Sequence, residues 1–230
     1  MAVLHNYRDP AVNLFRKQFN EAAQWWGEPA VLFSMWNPQN VQNQDPPIAH
    51  CPHCWDDDYG QSNTSGGICP YCFGTGFTGG IRKAWFTNVI RTNPSQTNKI
   101  DKLQGHLAGE EAILQAPWQA DLWEKDFVLF VNGWEETDTP GIYLPLVQEA
   151  WQIAAPPQVK NIKDGSSNYS KMVKICSKCD IKRVNMNHPI MNVKWSALPQ
   201  LNSDAFFVPT PKGDDSMGAL LASSITSLNS

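Results

Sequence analysis

The first clear period in the chain is helical. Val12, Phe15, Phe19, Ala22 and Trp26 recur at spacings of three and four, which places them on one stripe of an α-helix over residues 9–27. Both ends are marked. Asp9 suits the N-cap and Pro10 the first helical position, where no N–H is needed. Gly27 suits the left-handed conformation that ends a helix, and Pro29 prevents continuation. The stripe implies docking on the chain's own core or on a neighbouring subunit.

Beyond the helix the pattern turns to short apolar runs. Residues 30–36 (AVLFSMW) read as a strand, followed by a polar, Pro-containing link to about residue 48. Ile81 to Ile90 is expected to be a strand and 92–109 a loop. The continuous run Phe127–Val131 suits a buried strand, and Asn132-Gly133 after it marks a turn. Residues 142–153 carry strand signal, with Pro145 placing them at an edge or a strand start. A turn cluster at 164–168 precedes an alternating stretch, 171–184. There Val173, Ile175, Ser177, Cys179 and Ile181 share one face, and Lys174, Cys176, Lys178, Asp180 and Lys182 the other. Residues 189–195 are expected to add one more strand. The pattern predicts a mostly β fold with an N-terminal helix, a small β-barrel or sandwich.

Between 50 and 80 periodicity stops and spacing takes over. Cys51-Pro52-His53-Cys54 and Cys69-Pro70-Tyr71-Cys72 are separated by fourteen residues. Each CxxC turn sets two thiolates on one side of a tight bend, and two such bends supply a tetrahedral Cys₄ shell for one structural Zn²⁺ ion. Four sulfur ligands leave no position for a reactive water. Pro52 and Pro70 stiffen the bends, and Gly66-Gly67 lets the chain fold back. The intervening WDDDYGQSNTSGGI is too polar to form a core, so ligation would restrain it. His50 and His53 are expected beside the site, and Asp56-Asp57-Asp58 as a solvated turn without the glycine and distal glutamate of a calcium loop. Cys176 and Cys179 form a third CxxC, but on a strand they face opposite ways and cannot share a metal. His188 could complete a second site only if that segment is not a strand.

The chain thus divides into an N-terminal helix and strand (1–48), an inserted zinc knuckle (49–80), a β-barrel-like domain (81–198) and an extended tail (199–230). Leu220, Leu221 and Ile225 of the tail are suited to anchor on a neighbouring subunit. Charged residues are 17% of the chain, below the usual quarter, and the net charge of −4 argues against general affinity for phosphate backbones. Arg82, Lys83 and Arg91 beside Trp85 and Phe86 give a nucleic-acid-binding zinc module its footing as an alternative. No apolar run is long enough to span a membrane. The N-terminus lacks a signal peptide's basic start and apolar middle. Synthesis in the cytosol follows, where reduced thiols favour metal over disulfides. Phosphate-loop, GxSxG and HExxH motifs are absent, and Glu110-Glu111 and Glu135-Glu136 read as solvated faces, so no enzyme is expected.

Cys69-Pro70-Tyr71-Cys72-Phe73-Gly74-Thr75-Gly76 matches the CxxCxGxG repeat of DnaJ-type chaperones. The first cysteine pair lacks the glycines, and no J-domain His-Pro-Asp signature occurs. A closer resemblance is to tailed-bacteriophage structural proteins carrying CPxCW/Y-D followed by CPxCYGTGFxGGY. Here these read CPHCWDD and CPYCFGTGFTGGI, with Phe73 and Ile81 in place of Tyr. Trp26-Gly27-Glu28-Pro29, the Asp126–Val131 pattern and Asn187-His188-Pro189-Ile190 also look similar, so the likeness spans roughly residues 10–193 and is specific in the cysteine block. The resemblance implies a neck or head-to-tail connector protein of the virion, made in the host cytoplasm. It implies a homo-oligomeric ring, contacts with virion proteins on the portal/adaptor side and the tail side, no membrane, and DNA contact only where the ring lines a channel. A baseplate or tail-attachment position is the alternative within that class.

Overall fold

The computed structural model describes residues 10–44, 47–63, 67–92, 111–163, 172–185, 187–196, 198–201 and 209–210. The Asp9 cap, Gly66, all of the expected 92–109 loop except Thr92 (which is in a strand), the 164–168 turn and the anchoring Leu220, Leu221 and Ile225 lie outside the described residues.

Helix α1 (Pro10–Trp26) starts at its proline as the sequence predicts, but it docks by another face. Val12, Arg16 and Ala23 are buried, while Phe15 is exposed and Trp26 is 83% exposed. Arg16 fixes the rotation. Its Nε and Nη2 donate to the Lys174 carbonyl at 3.0 and 2.9 Å, and its guanidinium lies 3.8 Å over the Trp118 ring. A stripe counted from apolar residues alone misses a guanidinium that stacks and donates at once. Gly27 follows without the positive φ expected of it. Glycine is needed there for space, since a Cβ would sit 2.2 Å from the Ala23 carbonyl oxygen and 2.9 Å from that of Val89.

The remaining elements are β1 (Glu28–Met35), α2 (Pro38–Val41), β2 (Trp55–Asp56), β3 (Gln61–Ser62), β4 (Ile81–Thr92), β5 (Glu111–Pro117), β6 (Phe127–Glu136), β7 (Tyr143–Ile153), β8 (Gln158–Lys163), β9 (Met172–Arg183), a 3-10 helix (Pro189–Asn192), β10 (Lys194–Trp195) and β11 (Pro209–Thr210). The order β7-β6-β1-β4-β5-β9, with β7 also paired to β9, closes six antiparallel strands into a barrel. Strand β1 belongs to this ring although the knuckle separates it in sequence from β4. Strand β8 continues along β9 outside the ring, and β10 and β11 extend from β7. Among the described residues, no helix is long and apolar enough to cross a membrane.

Three local expectations change. Asn132-Gly133 is not a turn: β6 runs through it, and its two residues oppose Leu146 of β7 as a bulge. Residues 189–195 form a 3-10 turn and a two-residue strand, because His188 caps the turn through Nδ1, which accepts from Ile190 N at 3.1 Å. The alternation of β9 holds from Ser177 onward, with Ser177, Cys179 and Ile181 buried and Asp180 and Lys182 exposed, while Cys176, expected on the outward face, is buried. A register shift opposite Lys160 and Asn161 reverses facing before that point. Lys174 therefore turns inward, and its Nζ donates to the Ala120 carbonyl at 2.6 Å.

Strand β1 from Ala30 and strand β6 up to Val131 are buried on both faces, which is why these stretches read as unbroken apolar runs. Ala30, Leu32, Val128 and Phe130 point into the barrel with Leu114, Trp151, Cys179 and Ile181. Val31, Phe33, Leu129 and Val131 form a second core outside it with Phe73, Ile190, Met191 and Trp195. At the end of the barrel where β1 stops, Asp126 accepts from the backbone of Met35 and Trp123 at 2.8 and 2.7 Å. Asp121 there accepts from Arg82 at 2.9 Å. At the opposite end, Arg91 donates bidentately to Glu28 and reaches Glu149, with Phe130 beneath its guanidinium.

Burial pushes the Asp126 carboxyl up to about 7, against two backbone donors and Arg82. Burial also pushes His188 down to about 4. The signs oppose. The folded state holds the Asp126 proton more tightly than the unfolded chain, so this contribution to stability falls as pH rises from about 4 to about 7. The folded state resists charging His188, so that contribution falls as pH drops from 6.5 toward about 4. Each is worth roughly 1.4 kcal/mol per pH unit where only one state titrates. In denaturant titrations across this window, Asp126→Asn should gain stability with rising pH more steeply than wild type. Parallel profiles would refute the opposition.

Candidate metal centre

The knuckle leaves the end of β1 and returns at the start of β4, where Met35 pairs with Ile81. Its first bend is closed by Cys54 N and Trp55 N donating to the Cys51 carbonyl, its second by Phe73 N donating to that of Cys69. Cys51 N donates to the Gly76 carbonyl at 2.8 Å, tying one bend to the segment after the other. Gly80 completes the return with a positive φ of 64°, and a Cβ there would lie 2.4 Å from the Cys72 carbonyl oxygen.

The outcome is the predicted convergence of Cys51, Cys54, Cys69 and Cys72. Their ligand atoms all lie within 4.8 Å of one another. The sulfurs of Cys51 and Cys69 are 4.0 Å apart, and those of Cys54 and Cys72 are 3.4 Å apart. A tetrahedral site with metal–sulfur bonds of about 2.3 Å requires sulfurs about 3.8 Å apart. The four cysteines therefore form a candidate metal site, with sulfur separations close to those a tetrahedral ion requires. Three are buried and Cys69 is half-buried.

Electrostatics point the same way. Burial pushes the Cys51 thiol up to about 11, and neighbouring thiolates add to it. Burial and the Cys72 sulfur push Cys54 up as well. Cys69 is also raised by burial, but the backbone N–H groups of Cys72 and Tyr71 outweigh that and hold it below its ordinary value. Four thiolates confined this closely need a cation among them, and a metal held by the cluster would supply it.

The flanking residues take the places expected of them, as neighbours and not ligands. His50 stacks on Trp55 at 3.6 Å and faces Phe77 at 5.3 Å, while His53 stacks on Tyr71 at 3.8 Å. Asp56 accepts from the backbone of Asp58 and Tyr59, which shapes the exposed acidic turn. Cys176 and Cys179 remain apart from the cluster on β9, where Cys179 lies inside the barrel. The His188 Nδ1 lone pair is already committed to its cap. Arg82 and Lys83 pair with Asp121, and Arg91 with Glu28 and Glu149, so the basic trio singled out in the sequence is neutralised within the fold.

The sequence singles out Phe73 only through the motif resemblance, not for its conformation. Phe73, next to Cys72, has a left-handed φ of 54° and is buried in the outer core against β1 and β6. A large side chain held in that conformation is strained, and packing against the barrel repays it.

Elemental analysis should find one metal per chain, and Cys54→Ser or Cys72→Ser should remove it and open residues 50–80 to proteolysis. Two metals per chain would overturn the reading of Cys176 and Cys179. Phe73→Ala should keep the metal yet lower stability by about 3 kcal/mol, a typical cost of emptying a buried phenylalanine site. No family model matches the chain, and no curated protein matches it in sequence.

Proposed function

We propose that this protein is a non-enzymatic structural component of a tailed-phage virion, a neck or head-to-tail connector subunit whose knuckle carries one structural zinc ion. The observation that carries the subunit-contact reading is the bare face of α1. Phe15 and Trp26 lie exposed beside the docked stripe and Leu14 and Trp25 lie exposed across the helix from it, with the two tryptophans 82% and 83% exposed. Adjacent apolar side chains this open are costly in water and favour burial against a partner. The cysteine-block resemblance supplies the phage context. A small barrel with excursions hung from its strands suits that context.

Zinc is the metal this donor set favours. Four thiolates in tetrahedral array suit zinc or iron, and zinc brings no redox chemistry to a site that stabilises a loop. Closed coordination supports the absence of catalysis. The competing nucleic-acid reading is weakened by the ion pairs that occupy Arg82, Lys83 and Arg91.

Electron microscopy of phage particles with this subunit labelled should place it in a ring between head and tail. Absence from particles would sink the reading, and density at the baseplate would move it to tail attachment. Trp25→Ser/Trp26→Ser should leave the monomer folded and reduce incorporation into particles at least tenfold.

A further inference from the structure

The β8–β9 hairpin lies partly outside the barrel and is strongly basic in a chain of net charge −4. Every side chain of β8 is exposed except the half-buried Ile162, so both faces of this strand meet solvent. Its outer edge has no strand partner among the described residues. The two strands carry Lys160, Lys163, Lys174, Lys178, Lys182 and Arg183 against a single acid, Asp180. They hold six of the chain's eighteen basic residues and one of its twenty-two acids, leaving twelve basic against twenty-one acidic residues elsewhere. Arg183 pairs with Glu149 and Lys174 donates to Ala120. Lys160, Lys163, Lys178 and Lys182 make no ion pair among the described residues. By register, Lys160, Lys178 and Lys182 share the outer face.

The opposite charge gathers at the knuckle. Asp57 and Asp58 are exposed and, with Trp55, Asp56 and Asn63, line an open groove. The two surfaces stand on opposite sides of the molecule. Around the six-strand ring, β9 is three strands from β1 in either direction, and the knuckle packs outside β1. Both leave from the same end of the barrel. The knuckle joins the end of β1 to the start of β4, and the hairpin extends β9 backward beyond Lys174, which touches the loop after β5.

We infer that the basic β8–β9 arm of one copy docks against the acidic knuckle groove of the next. The inference rests on the subunit-contact reading above and names the surfaces. A patch meeting a different patch on an identical neighbour is a heterologous contact, which propagates and closes into a ring when the rotation allows. Charge complementarity chooses the occupant. A phosphate backbone lying along the arm would face the negative remainder of the same molecule, whereas a second copy offers that negative surface as partner. The contact is exposed and ionic, so salt weakens it.

Sedimentation velocity on the metal-loaded full chain tests this with two charge reversals, at the exposed Lys160, Asp57 and Asp58 and the half-buried Lys178. Asp56 is left intact because it holds its turn. Wild type should self-associate at low ionic strength and dissociate at high salt. Lys160→Glu/Lys178→Glu and Asp57→Lys/Asp58→Lys should each associate at least tenfold more weakly alone, and an equimolar mixture of the two should recover assembly. Recovery also shows that both variants are folded. A wild type that stays monomeric at low salt, or a mixture that fails to assemble, overturns the inference. So does duplex DNA binding lost only in the arm variant, which would assign the lysines to a polyanion. Assembly that persists in both variants overturns this contact while leaving the virion reading intact; absence from particles overturns that reading itself.

Discussion

The outer faces of β1 and β6 are apolar, and they must be covered. A barrel normally hides one face of each strand and offers the other to water, yet Val31, Phe33, Leu129 and Val131 are all buried outside the ring. Two distant segments supply the cover. Phe73 comes from the knuckle, and Ile190, Met191 and Trp195 come from the chain after β9. The barrel interior can close on its own residues, but the second core exists only while the knuckle and the late segment stay in place.

That dependence gives the cysteine cluster a reach beyond its own loop. Cys72 belongs to the cluster and Phe73, the next residue, packs against the barrel. Holding Cys72 in a closed tetrahedral set restrains the backbone that must keep Phe73 left-handed. Gly80 lies against the Cys72 carbonyl, and its own carbonyl accepts from Trp36 N at 2.9 Å. Cysteine cluster, strained anchor and strand entry thus form one mechanical path from the knuckle to the end of β1.

The parts of this arrangement that were legible in the sequence rest on short-range chemistry. The two CxxC bends, the start of α1 at Pro10 and the buried runs of β1 and β6 each follow from neighbouring residues. What stayed hidden depends on contacts far along the chain. The rotation of α1 is set by Arg16 meeting Lys174 and Trp118, and Gly27 by the crowding of Val89. Strands β5 and β8 were unforeseen for different reasons. β5 holds small alanines in a short alternation, and β8 reads as polar because it lies outside the barrel. At Asn132-Gly133, turn chemistry was real but served a bulge within a long hairpin. The inward turn of Lys174 follows from a one-residue register shift that no periodicity reveals.

The shared departure point of knuckle and hairpin gives the barrel a polarity. Both excursions hang from the end where β1 stops, while α1 delivers its tryptophans toward the end where β1 begins, beside the Arg91 clamp. Copies standing side by side in a common orientation would align these unlike ends into two unlike rims, one charged and carrying the four-cysteine cluster, the other edged with indole rings. Such an annulus could not be turned over without presenting a different chemistry to whatever stacked upon it. The asymmetry belongs to the single chain, before any copy meets another.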